Sequence, residues 1–432
     1  MDRYAKKLLD YLNSSPTPFQ STAYLARMLR DAGGEQIDLR DRWSLEKGRL
    51  YYFVRSETSL AAFRVGSDPV GDGFRVGAAH QDSPGLRVKP SVSTVDSGYE
   101  RICVEPYGGM INHVWLDRPL SVAGALRVRD GDGAKTVPVD IKKPFLIIPS
   151  AAIHIVRDVN SNAQFNPQTE LCPVFAQLDP GAPKEKKFMK YIAEAAGVGE
   201  SDVLSFELCA YDGEPACFLG ANDEFISSPR LDDSAMAFAA VAGLCDAYKK
   251  GGDVSSVALV FDHEECGSNT DRGAQNNTLD MLTQRIFAGL GLTAEDRFRS
   301  FASSVVFSAD MAHAVHPAYT GKYDPNMTAR LGGGPVLKTT EGQSYATSQL
   351  GSAYFKLLCE KNSIPYQVFF NRSDARGGGT IGPVLSSRLG LVTVDIGNPM
   401  LSMHSIRELG GTADAGSMQK LFAAFFNDKK GL

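Results

Sequence analysis

The chain has 432 residues, 43% of them hydrophobic and 22% charged, and a formal net charge of −5. That is the balance of a folded globular protein long enough for two or three domains, and it excludes a disordered or fibrous chain. An acidic surface argues against nucleic acid or an anionic membrane as partner, and no apolar run approaches the ~20 residues needed to span a bilayer.

The opening MDRYAKKLLDYLNSS has neither an uninterrupted apolar core nor a small-residue cleavage site, so it does not read as a secretory leader. Seven cysteines, an odd number without CxxC spacing, fit free thiols in a reducing cytoplasm better than disulfides or a cysteine-built zinc site. Leu8, Leu9 and Leu12 mark a first helix, ended by Asn13-Ser-Ser-Pro16. Tyr24, Leu25, Met28 and Leu29 mark a second, ended by Gly33 and Gly34. From Leu50 the runs LYYFVR, LAAFRV and FRVGAA predict strands. The stretch from about 89 to 217 is strand-rich and irregular, with one clear helix near 186–197. After Arg230, strands and helices alternate: DSAMAFAAVAGLCDAYKK (helix), VSSVALVFD, SSVVFSAD and LGLVTVDIG (strands), and QKLFAAFFND (closing helix). Alternation of this kind predicts an α/β fold with a mostly parallel central sheet. The β-rich middle is then a second domain inserted into the first: residues 1–90 with 223–432 on one side of the division, residues 91–222 on the other.

The chemistry gathers at the ends of these elements. His80 closes the strand FRVGAA, and Asp82, two residues on, faces the same side in extended chain. Asp82 could fix the imidazole tautomer that leaves the other ring nitrogen free for a metal. The alternative is a histidine hydrogen-bonded in a turn. Asp232 and Asp233 precede a helix, as an N-cap would, but a carboxylate there could also bridge two cations. The buried strand VSSVALVF runs into Asp262-His-Glu-Glu265. Adjacent glutamates at an apolar strand end repel one another, and a dication would relieve them: one could ligate while the other acts on a water. A charged loop is the plain alternative. Asp310 and His404 each follow an apolar strand. His80, Asp232, Glu265, Asp310 and His404 thus share the region outside the carboxyl ends of the strands, where ligands of open α/β sheets bind. Five such donors suit two dications with one carboxylate shared. No HExxH is present, which excludes the helix-borne mononuclear zinc arrangement.

AAHQDSPG, SSPRLDD, DHEECGSNTDRGA, SADMAHAVHP, GTIGPVLSSRLG and MLSMHSIRE occur in this order. Together they resemble the M18 metallopeptidases, the aspartyl aminopeptidase-like family, in a bacterial-type form. The resemblance implies a phosphorylase/hydrolase-like peptidase fold interrupted by a β-rich dimerisation domain, and assembly into tetrahedral homododecamers built from dimers. It implies a bridging Asp232 between two Zn²⁺, one also held by His80 and Asp310 and the other by Glu265 and His404. Glu264 would be the general base, with Asp82 behind His80. His154, in IPSAAIHIVRD, would enter a neighbouring subunit's site. Lys338 and Tyr345 match the side-chain pocket for acidic N-terminal residues, although an exposed loop lysine is the plain reading of Lys338. Two departures are Asp233, where the family often has Asn, and Gly377, where animal members have Cys.

The function expected is therefore a dizinc aminopeptidase that removes the N-terminal residue of a peptide with a free N-terminus, with acidic residues preferred and a broad or neutral, Leu-type preference as the alternative. His/carboxylate sites also accept Mn²⁺ or Co²⁺. Two other readings are a related metal-dependent amidohydrolase and a shell-forming assembly protein with an idle site. His313 and His316 are expected to make local hydrogen bonds outside the metal shell.

Overall fold

The run FRVGAAH becomes the strand Phe74–His80, buried at every position. In the computed structural model, which describes residues 2–162, 164–179, 185–326, 328–375 and 377–432, this strand lies parallel between Ser255–Phe261 and Val305–Ala309. Val392–Gly397 continues the parallel set beside Val305–Ala309. Near-continuous burial is what parallel strands covered on both faces require. These four are the centre of a nine-stranded mixed sheet. Ser59–Arg64, Leu50–Arg55 and Glu35–Gln36 extend one side, and Val336–Lys338 and Gln367–Phe369 the other.

The strand residues divide by parity between two cores, because successive side chains point to opposite faces. Ala258 and Val260 pack with the helices Arg3–Ser14, Pro18–Asp31, Leu231–Lys249 and Thr412–Phe425. Val257, Leu259 and Phe261 pack with Thr278–Gly289 and Gly382–Leu389. A Cβ built on Gly77 would lie 2.8 Å from the rings of Phe422 and Phe426. The glycine is what lets the last helix close onto the central strand.

A separate six-stranded antiparallel sheet has the order Gly133–Asp140, Leu120–Asp130, Val203–Asp212, Gly85–Asp96, Tyr99–Tyr107, Val174–Gln177. It has its own core of Leu86, Ile102, Val104, Trp115, Leu126 and Leu208, covered by Phe188 and Ile192 of the helix Phe188–Ala195. Its strands run from Gly85 to Asp212. Cys217–Leu219, within the span 91–222, pairs instead with Phe225–Ser228 in a third sheet of five short strands, with Glu408–Gly411, Pro399–Leu401 and Ala312–His313. Among the described residues no helix is long and apolar enough to cross a membrane.

Candidate metal centre

Three loops leave the carboxyl ends of the parallel strands into one cleft of about 440 Å³. His80 ends its strand there. Glu264 and Glu265 follow Ser255–Phe261, and Asp310 follows Val305–Ala309. Asp232 enters from the start of Leu231–Lys249, where both Asp232 and Asp233 have non-helical backbone angles. His404 enters from the loop between two strands of the third sheet and takes a left-handed φ of 66°. That conformation is uncommon for a non-glycine residue and is often found at functional sites.

Asp232 is central. His80 Nε2 lies 3.6 Å from one of its carboxylate oxygens and His404 Nε2 lies 3.5 Å from the other. His404 Nε2 is also 3.5 Å from Glu265 Oε1, and Glu264 Oε2 is 4.0 Å from His80 Nε2. Potential ligand atoms of His80, Asp232 and Glu265 lie within 4.8 Å of one another, and so do those of Asp232, Asp233 and Asp310. Asp232 belongs to both groups. Asp232 and Asp233 do not act as helix caps. Asp233 Oδ2 accepts from the His80 N–H at 3.1 Å, while Asp232 Oδ1 is buried with no hydrogen-bond partner.

Each histidine is aimed by the ring nitrogen that faces away from Asp232. His80 Nδ1 is 3.1 Å from the Asp82 carbonyl and 3.3 Å from its carboxylate. Asp82 also accepts from the Glu264 and Glu265 N–H groups, both at 3.1 Å, and from the Tyr107 hydroxyl at 2.5 Å. His404 Nδ1 donates to the Gly109 carbonyl at 3.0 Å, if that nitrogen carries the proton. Glu408, unmarked in the sequence reading although it ends the motif MLSMHSIRE, accepts from the backbone N–H of Asp232 at 3.1 Å and of His404 at 2.8 Å.

The electrostatics describe a cluster in need of cations. Burial, and then the Asp232 charge, push Glu265 up to about 10. Burial raises Glu264 to about 7 against the pull of His80, with Asp310, Asp82 and Asp232 adding to the rise. Burial likewise raises Asp310, partly offset by Lys338. Burial alone would raise Asp82 too, but the hydrogen bonds from His80, Tyr107 and the Glu265 N–H outweigh it and hold it at about 2. An unpartnered, buried carboxylate oxygen among raised carboxyl groups is costly unless a cation meets it. The imidazole and carboxylate donor set suits zinc.

Lys338 is no exposed loop lysine. It ends the buried strand Val336–Lys338 and is only 2% exposed. Its Nζ donates to the Met311 carbonyl at 3.1 Å, lies 3.5 Å from Asp310 Oδ2, and stands 5.3 Å from the centre of the Tyr345 ring. Lys338 and Tyr345 both line the cleft, as does His313. His154 sits on an exposed loop of the six-stranded sheet and is not among the residues lining this cleft. His316 makes the local bond expected of it, accepting from the Ala318 N–H at 3.2 Å.

Carboxylates and imidazoles converging on a shared aspartate beyond a parallel sheet are the equipment of a hydrolytic metalloenzyme. Comparison with known proteins narrows the class. The family profile described as aminopeptidase I zinc metalloprotease (M18) matches residues 11–426. A "Probable M18 family aminopeptidase 2" of Clostridium acetobutylicum is 40% identical over 428 residues, 98% of each chain. Among solved structures, the Ape4 and Nbr1 complex superposes with a TM-score of 0.94 at 35% identity, covering 98% of this chain and 85% of that one. The S. cerevisiae mApe1 dodecamer superposes at 0.86 with 28% identity, covering 99% and 97%. The chain belongs to the M18 family, and it is a zinc metallo-aminopeptidase.

Proposed function

We propose that the protein uses two zinc ions per subunit to hydrolyse the peptide bond after a free N-terminal residue. The observation that carries this reading is the position of Asp232, with one oxygen toward His80 and the other toward His404. Asp232 would bridge; His80 and Asp310 would complete one site, Glu265 and His404 the other. Mn²⁺ or Co²⁺ could occupy the same donors. When bound, such a pair supplies Lewis-acid polarisation of the scissile carbonyl and a water acidic near neutral pH. Glu264, half-buried beside His80, would take the proton from that water at a carboxylate oxygen and return it to the departing amine. Burial, which raises Glu264, opposes the pull of the cations and favours a carboxylate able to take up and return a proton. Asp82 and the Gly109 carbonyl would fix the imidazole tautomers, and Glu408 the backbone that carries Asp232 and His404.

The choice of N-terminal residue turns on Lys338. As a cation lining the cleft it favours acidic Asp or Glu side chains. A neutral or Leu-type preference is favoured by a specific observation: Lys338 already faces Asp310, while Met311, Val384 and Met403 offer apolar contact. The division into a peptidase domain (1–90 with 223–432) and an inserted dimerisation domain (91–222) is supported by the separate cores of the two larger sheets. Assembly as a homododecamer, which the family resemblance makes dimer-based and tetrahedral, with His154 serving a neighbouring site, is supported by likeness to the mApe1 dodecamer and by the exposure of the His154 loop. A cytoplasmic location is supported by seven cysteines without CxxC spacing. A panel of free Asp-, Glu-, Leu- and Lys-peptides beside their N-blocked forms tests the reading. Turnover of the free forms alone is expected; preference for blocked substrates would make the enzyme an amidohydrolase of another kind.

A further inference from the structure

We infer that residues 107–111, where the chain leaves the six-stranded sheet, hold both metal histidines in register, and that Tyr107 is a positioning residue of the metal centre. The inference rests on the dizinc reading above. The segment reaches each half of the site by a different group. The Tyr107 hydroxyl donates to Asp82 Oδ2 at 2.5 Å, since a carboxylate can only accept. Asp82 in turn stands behind His80 and receives the backbone N–H groups of Glu264 and Glu265. The Gly109 carbonyl stands behind His404, and the Ile111 N–H donates to the His404 carbonyl at 3.1 Å.

The two glycines between these contacts are there for closeness. Gly108 has a left-handed φ of 67°, and a Cβ on it would lie 3.0 Å from Glu265 Cβ and 3.4 Å from Glu265 Oε2. A Cβ on Gly109 would lie 3.3 Å from His404 Nδ1. Any side chain here would press on a metal ligand, so the backbone itself forms the wall. The Arg87 guanidinium, 4.0 Å over the Tyr107 ring, braces the phenol from within the same sheet. Tyr107 at the end of its strand, with Gly108, Gly109 and Ile111 just beyond it, thus reaches Asp82, Glu265 and His404, and the geometry of both ion sites depends on where the inserted sheet ends.

The test is Tyr107→Phe, which keeps the ring and removes the donor, read by zinc retention against a competing chelator, by the visible spectrum of the cobalt-substituted protein, and by kcat and KM on one peptide. Loss of a hydrogen bond that orients a ligand is expected to weaken metal retention or kcat by about 10- to 100-fold. KM should stay within about threefold, and the cobalt spectrum should shift. The metal-stripped protein should still melt cooperatively, with a midpoint lowered by no more than a few degrees, about what the loss of one buried hydrogen bond gives. Gly109→Ala, which keeps the carbonyl but presses on His404, should shift the same spectrum. Tyr99→Phe, at the half-exposed far end of the strand, should not. Metal retention, spectrum and kcat within about twofold of the parent for both Tyr107→Phe and Gly109→Ala would overturn the inference while leaving the dizinc reading intact. A parent protein that takes up no metal and cleaves no free-N-terminus peptide would overturn both.

Discussion

Glu264 and Glu265 are neighbours in sequence with different expected tasks, and their surroundings separate them. Glu265 faces Asp232 and His404, and its carboxyl is pushed to about 10; Glu264 faces His80 and rises only to about 7. Glu264→Gln should therefore keep both metals and lose about 10²- to 10⁴-fold in kcat, the usual worth of a general base. Metal analysis beside steady-state kinetics checks this, and a normal rate would remove Glu264 from the role. A second consequence follows from the sign of the shifts. Carboxyls raised this far hold protons near neutral pH, whereas a zinc ligand must be ionised. Zinc added to the chelator-stripped protein should thus release protons, and its apparent affinity should climb as pH rises from about 6 to about 8. Titration in a weak buffer would show acidification; a pH-independent affinity would contradict the picture. At this scale His80, Glu265 and Asp310 stood out in the sequence because each closes or follows an apolar strand, while Asp232 and His404 stood out by the motifs around them rather than by an apolar run. Tyr107, Gly109 and Glu408 did not. Gly109 lies 295 residues from His404, and its glycine pair reads as an ordinary turn.

The long, continuously apolar strands were readable because burial on both faces leaves a plain signal in the sequence. The third sheet was not, since Ala312–His313 and Pro399–Leu401 are too short to show a period. Their order comes from tertiary pairing: the Ala312 and Ala314 N–H groups donate to the Asn398 and Met400 carbonyls. The same limit hid where the second sheet begins, because Gly85–Asp96 follows so closely on His80 that no composition change marks the crossing. Packing at Gly77 gives an element-level prediction. Gly77→Ala would place a methyl against Phe422 and Phe426, an overpacking worth about 1–3 kcal/mol. Denaturant titration should show the lower midpoint, with the activity of the remaining folded protein unchanged. An unaltered midpoint would mean that the closing helix sits more loosely than its rings suggest.

At the scale of the whole molecule, the loop that carries His154 also exposes Ile153 and Ile155, the latter at 79%. Apolar side chains so open are expected to be covered by another copy of the chain. Ile155→Asp should shift the sedimenting species to smaller size and lower turnover with it, while His154→Ala should lower turnover at unchanged size. A small, fully active species would show the loop to be dispensable. Everything proposed for the site turns on what Asp232 stands between. Anomalous scattering at the zinc absorption edge, collected from crystals of the active protein, measures it directly. Two peaks are expected, one on either side of Asp232, toward His80 and toward His404. A single peak, or a pair located away from Asp232, would contradict a bridging Asp232.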